Sequence, residues 1–148
     1  MIDSILVGTD GSGTAAIAVA HAIEIARGVG AKLQIVSAYE PVPERRLRDE
    51  RLRVPSDVQW AVNPREDVLV LLESAERDAR AAGLAQVETF ARVGDAADAI
   101  LDVAEDRRVD LIVVGNKGMT GATRFLLGSV PNKVSHHAPC SVLIVRTT

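Results

Sequence analysis

A chain of 148 residues is sized for one domain, so residues 1–148 are expected to fold as a single unit, and 47% apolar with 25% charged residues excludes a disordered chain. The net charge of −3 and the 3% aromatic content exclude a broad basic nucleic-acid surface and base-stacking platforms, and no apolar stretch approaches the roughly 20 residues of a membrane helix. The lone Cys140 excludes an intrachain disulfide and a multi-cysteine zinc site; with no signal-like segment after Met1, it points to a reducing cytoplasm.

Strand-like and helix-like hydrophobic periods alternate along the chain, the pattern of a parallel α/β sheet. The first strand is Ser4-Ile-Leu-Val-Gly8, a continuous apolar run of the kind buried on both faces. Ser12 is placed to cap a helix with Ala15, Val19, Ala22, Ile23 and Ala26 inward, ended by Gly28 and Gly30. A second strand covers 32–38. Asn63-Pro64-Arg65-Glu66 then supplies a cap, a proline at the first helical position and an early glutamate. The helix that follows has the spine Val68, Leu72, Ala75, Ala79 and Ala82, and Gly83 stops it.

A third strand is predicted at about 86–91. The next helix follows Gly94-Asp95, with Ala96, Ile100, Val103 and Ala104 inward and Asp98, Asp102, Glu105 and Asp106 outward. Strand four is expected over 109–115, a last helix near 130–137, and strand five over 141–146. The irregular stretch is 40–62, whose core is Glu44-Arg-Arg-Leu-Arg-Asp-Glu-Arg-Leu-Arg53. Such charge runs are commonly solvated faces; the sharper reading is a lid that carries arginines to an anion.

Ligands of open α/β sheets bind beyond the carboxyl ends of the strands, where the strand order reverses. The loops after strands one and four hold most of the glycine: Gly8-Thr-Asp-Gly-Ser-Gly13, and Gly115-Asn-Lys-Gly-Met-Thr-Gly121 with Gly128-Ser129-Val130 beyond it. That distribution favours strands one and four as neighbours over a flavodoxin-type order with the site between strands one and three, and predicts a doubly wound open sheet of five parallel strands, order 3-2-1-4-5, with helices on both faces. Gly128-Ser129 at a helix start suits an anion: free N–H groups, the positive end of the helix dipole and the Ser129 hydroxyl converge there, with Lys117 in the same loop. The plainer alternative is that the glycines only make turns and Ser129 only caps.

Gly115-x2-Gly118-x9-Gly128-Ser129 resembles the ATP-binding pattern of the universal stress protein family, of the nucleotide-binding type. The likeness extends over the Val7-Gly-Thr-Asp-Gly-Ser12 opening and the closing strand from Cys140 to Val145. It implies the same 3-2-1-4-5 sheet. It further implies that Asp10 and the backbone near Ala38 hold ribose and adenine, while Gly115, Gly118, Gly128, Ser129 and Val130 surround the phosphates. Gly8, Thr9, Asn116, Lys117 and Met119 complete the expected nucleotide-binding set. One departure is Pro131, which suits a first helical turn but removes a donor. The family also implies an antiparallel homodimer through the apolar edge strand Val142-Leu-Ile-Val145.

Rival readings are weaker. Gly11-Ser-Gly-Thr-Ala-Ala16 fits a dinucleotide fingerprint, with Glu40 after strand two, but Asp10 would set a carboxylate beside a pyrophosphate. A response regulator needs an acceptor aspartate where strand three has Thr89-Phe-Ala-Arg, and no Walker A loop occurs. His136 and His137 suit a helix C-terminus without further role, His21 is expected half-exposed, and Cys140 is expected as a small core residue opening a buried strand. Asp10 is the one candidate for Mg²⁺, through a ligand's phosphates. The expectation is an ATP-binding regulatory or sensor module in stress adaptation. The alternatives are a slow ATP hydrolase and a protein that binds or sequesters cyclic AMP.

Overall fold

The computed structural model describes residues 1–40, 65–116 and 127–147. In chain order the elements are β1 (Ser4–Gly8), α1 (Gly13–Val29), β2 (Lys32–Tyr39), α2 (Arg65–Ala81), β3 (Val87–Val93), α3 (Ala96–Arg107), β4 (Leu111–Gly115), α4 (Ser129–His137) and β5 (Ser141–Val145). The sheet runs β3-β2-β1-β4-β5, and every neighbouring pair is parallel. The predicted architecture is therefore the observed one.

Parallel pairing forces each connection to cross over the sheet, and the crossovers bring helices to both faces. Alternate strand residues then serve two cores. Ile5, Val7, Leu33 and Ile35 meet Ala18, Ala22, Val68 and Leu72 of α1 and α2. Leu6, Val36, Ile112 and Val114 meet Ile100, Val103 and Val134 of α3 and α4. Each fully buried aliphatic side chain contributes roughly 1.5–3 kcal/mol, so this double burial is what keeps β1 in the middle.

Element ends follow local chemistry. Gly30 is the left-handed cap of α1 at φ 72°, while Gly28 lies inside the last turn rather than ending it. β4 starts at Leu111, two residues later than predicted. The cause is that Arg108 closes α3 in the left-handed region and the Val109 N–H still turns back to Ala104 O, 3.2 Å away. β3 runs on to Val93, because its register with β2 continues through Ala38↔Arg92 and Tyr39↔Val93. The proposed cap Asn63-Pro64, the arginine-bearing stretch 45–53, and Lys117, Gly118, Met119 and Gly121 of the second glycine loop lie outside the described residues.

The two sheet edges differ. On the β3 edge, Glu88 pairs with Arg107 at 3.7 Å and Arg92 with Asp106 at 3.3 Å, while both arginines lie over the Phe90 ring. Charged side chains on an edge strand discourage pairing with another chain. On the β5 edge, Leu143 and Ile144 remain 37% and 38% exposed. The strand that follows Cys140 is thus half-exposed and not buried, because one of its sides has no neighbouring strand among the described residues.

Candidate functional site

The strand order reverses between β1 and β4, and their carboxyl ends carry the two glycine loops. There the structure gathers Gly8 at the end of β1, Ala38 near the end of β2, Gly115 and Asn116 at the end of β4, and Gly128, Ser129 and Val130 at the start of α4. Gly8 pairs with Val36, and the Thr9 N–H donates to Val36 O at 3.0 Å, which ties the first loop to β2.

The first loop consumes its own polar groups. Asp10 Oδ1 accepts from Ser12 N–H at 2.9 Å, and Thr9 Oγ1 accepts from Gly11 N–H at 3.2 Å. Ser12 Oγ caps α1 by accepting from Ala15 N–H at 3.1 Å. Gly11 sits at φ +84°, a conformation that a side chain would strain. Gly8 is a glycine for a packing reason that sequence reading missed: a Cβ there would come within 2.6 Å of Ile100 Cδ1. The Asp10 side chain is exposed, and its carboxylate has acceptor capacity beyond the Ser12 bond.

The second loop ends differently. An α-helix begins with N–H groups that have no partner within the helix, and these must be satisfied by a cap, water or ligand. In α4, Gly128 takes the cap position with no side-chain hydrogen bond, and no acidic residue stands in the first turn. The Gly128 N–H donates to Asn116 O at 2.9 Å, Pro131 has no N–H, and the Asn132 N–H makes the first helical bond, to Gly128 O at 3.0 Å. Among the described residues, no partner is found for the Ser129 and Val130 N–H groups at the helix start. The Ser129 side chain is exposed beside them. This is the arrangement an anion requires: two N–H groups, a hydroxyl and the positive end of the helix dipole.

Asn116 has more partners than sequence reading assigned it. Its N–H donates to Val145 O at 2.9 Å, and its Oδ1 accepts from Thr147 N–H at 2.8 Å and from the Thr147 hydroxyl at 3.0 Å. Nothing in the spacing of residues 116 and 147 announces that contact.

Nearby, α3 begins with Asp95, whose Oδ1 caps the Asp98 N–H at 2.8 Å. Lys133 of α4 reaches Asp98 at 2.8 Å and Asp95 at 3.6 Å. The Asp98 N–H, with help from Lys133, holds the Asp95 carboxyl below its ordinary value, and the Asp98 carboxylate raises the Lys133 ammonium. These groups are largely exposed, so the pairs orient more than they stabilise.

The residues considered for catalysis lie elsewhere. His136 and His137 end α4, and Cys140 precedes β5, so all three lie at the amino edge of the sheet. Burial, and then the nearby Asp110 carboxylate, push the Cys140 thiol up, which suits a packed side chain and not a nucleophile. His21 is exposed, more so than expected, with Nδ1 2.9 Å from Ile17 O. Among the described residues, no group of three His, Cys, Asp or Glu side chains converges to hold a metal. No helix among them is long and apolar enough to cross a membrane.

A doubly wound sheet with an open helix start at its switch point defines a class of ligand-binding α/β proteins. The universal stress protein family model matches residues 1–146, and the chain belongs to that family. It is 40% identical over 145 residues to universal stress protein Rv1636 of Mycobacterium tuberculosis, covering 98% of this chain and 97% of that one. It is also 33% identical over 159 residues to universal stress protein YxiE of Bacillus subtilis, covering 99% of this chain and all of the relative. A solved universal stress protein in complex with cAMP superposes with a TM-score of 0.75 at 35% identity, covering 99% of both chains.

Proposed function

We propose that this protein binds an adenine nucleotide at the carboxyl ends of β1, β2 and β4, with ATP the favoured ligand, and acts as a regulatory or sensor module in stress adaptation. The observation that carries the reading is the start of α4, where Gly128 gives no side-chain cap and, among the described residues, no hydrogen bond takes up the Ser129 and Val130 N–H groups. In this reading those groups hold phosphate, with Gly115 and Gly128 allowing close approach and Asn116 beside them. Lys117, Gly118 and Met119 belong to the same proposed set. Asp10, with Gly8 and Thr9, takes the ribose, and the backbone near Ala38 takes the adenine. Any Mg²⁺ would be held mainly by the phosphates, with Asp10 as its one protein ligand. Among the described residues nothing at the site supplies an evident general base, so hydrolysis is expected to be slow.

A second ligand has a specific observation behind it: the relative in complex with cAMP, at 35% identity. Cyclic AMP offers the same adenine and ribose with one phosphate charge.

Calorimetric titration of ATP, cyclic AMP and adenosine into wild type and Ser129→Ala tests the reading. One hydrogen bond to a charged group contributes about 1.5–3 kcal/mol, so the variant should bind ATP about ten- to a hundredfold more weakly, with adenosine unchanged. Equal ATP affinity in a folded variant would refute the phosphate site. Tighter binding of cyclic AMP than ATP by wild type would favour the second ligand.

The cytoplasm is the proposed compartment, and a homodimer through the β5 edge the proposed assembly. The exposed Leu143 and Ile144 support it, because an apolar strand edge favours strand addition. Sedimentation should show a dimer at micromolar concentration and a monomer for Leu143→Glu. A wild-type monomer would rule the dimer out.

A further inference from the structure

We propose that Asn116 is a positioning residue. It sets the start of α4 by joining Gly128 to Thr147 beyond β5, and acts on a bound phosphate only through that helix start. The ligand half of the proposal rests on the nucleotide reading above.

Three groups of Asn116 are engaged at once. Its N–H holds Val145 O at 2.9 Å, its C=O accepts from the Gly128 N–H at 2.9 Å, and its side-chain oxygen accepts twice from Thr147, at 2.8 and 3.0 Å. The Thr147 N–H can only donate, so the atom facing it must be the amide oxygen, and two donors fill that oxygen's lone pairs. The oxygen is therefore unavailable to a ligand. The same residue links the end of β4, the end of β5 and the cap of α4. Gly128 has no side chain with which to fix its own orientation, and the Asn116 carbonyl fixes it. That bond, with the Asn132 N–H bond to Gly128 O, orients the start of α4 and so the Ser129 and Val130 N–H groups.

A carboxylate at this position would keep both Thr147 bonds but bring a negative charge beside the anion site. Leucine would match the volume and keep neither bond. The Thr147 hydroxyl, 31 residues away, thus becomes part of the phosphate site without touching it.

The test compares Asn116→Leu, Asn116→Asp and Thr147→Val with wild type, by amide hydrogen exchange at Gly128 without ligand and by titration with ATP and with adenosine. Exchange at Gly128 should quicken in Asn116→Leu and Thr147→Val and stay near wild type in Asn116→Asp. Loss of one neutral hydrogen bond translates to roughly three- to tenfold, so Thr147→Val should weaken ATP by that factor and Asn116→Leu by more, with adenosine unchanged in both. Should Asn116→Leu fail to fold, Thr147→Val carries the test alone. Thr147→Val with wild-type Gly128 exchange and wild-type ATP affinity would overturn the proposal; a loss confined to Asn116→Leu would then make Asn116 a direct ligand contact. Equal weakening of ATP and adenosine, tracking a lower melting temperature, would also overturn it, as a purely structural role. A wild type that binds neither ligand would refute the nucleotide reading instead, and the Gly128 exchange rates would still decide the positioning claim.

Discussion

Helices α3 and α4 start at the same edge of the sheet and pack on the same face, yet their first turns are finished in opposite ways. At α3 the protein supplies its own anion: the Asp95 carboxylate caps the Asp98 N–H, and Lys133 balances the charge. At α4 a glycine takes the cap position, a proline removes one donor, and Ser129 and Val130 are left without an acidic residue nearby in the turn. The start of α1 is completed like that of α3, with Ser12 as cap and Asp10 holding the Ser12 N–H. The starts of α1 and α3 are thus finished by the chain's own side chains, whereas the start of α4 is not, and it is the one proposed above for a ligand.

Making the second start resemble the first should have the largest effect. Ser129→Glu places a carboxylate in the first turn of α4, where the dipole favours it by about 0.3–1 kcal/mol. Melting temperature should hold or rise slightly while ATP affinity falls about a hundredfold or more, a dissociation that ordinary damage to the fold cannot produce. Gly8→Ala probes the packing beneath the first loop. Its Cβ must push Ile100 aside, and overpacking of this kind costs about 1–3 kcal/mol, read as a lower denaturant midpoint. Ile100→Val should recover part of that loss when combined with it.

Removing the α3 cap with Asp95→Ala should cost about 1 kcal/mol of stability and leave ATP affinity unchanged. The smallest effect is in the pH dependence. Asp95 has a folded-state pKa below its unfolded value, so it adds stability above the unfolded pKa of about 4 and loses it as pH falls through the lower folded value. Asp95→Asn keeps a capping oxygen without the charge. It should therefore unfold with a shallower acid dependence below about pH 4 and be nearly as stable as wild type at pH 7. An unchanged acid limb would mean that the Asp95 charge is not what stabilises that turn.

Much of this contrast was legible in the sequence. The continuous apolar strands, the Ser12 cap and the glycine-rich loop ends predict the sheet order and both kinds of helix start, because each rests on residues close together in the chain. What was not legible depends on long-range packing. Gly8 reads as a ligand-loop glycine, and the sequence does not show Ile100 packed against it, 92 residues away. Asn116 reads as a residue of the glycine loop, and the sequence does not show Thr147 on its side-chain oxygen.

The central claim, that the open start of α4 and not the finished start of α3 receives phosphate, is tested most directly by following backbone amide resonances during titration with ATP and separately with adenosine. The account predicts that ATP shifts the Ser129 and Val130 amides, that adenosine leaves those two unmoved, and that the Ala97 and Asp98 amides respond to neither. Movement at Asp98 with Ser129 and Val130 silent would contradict it.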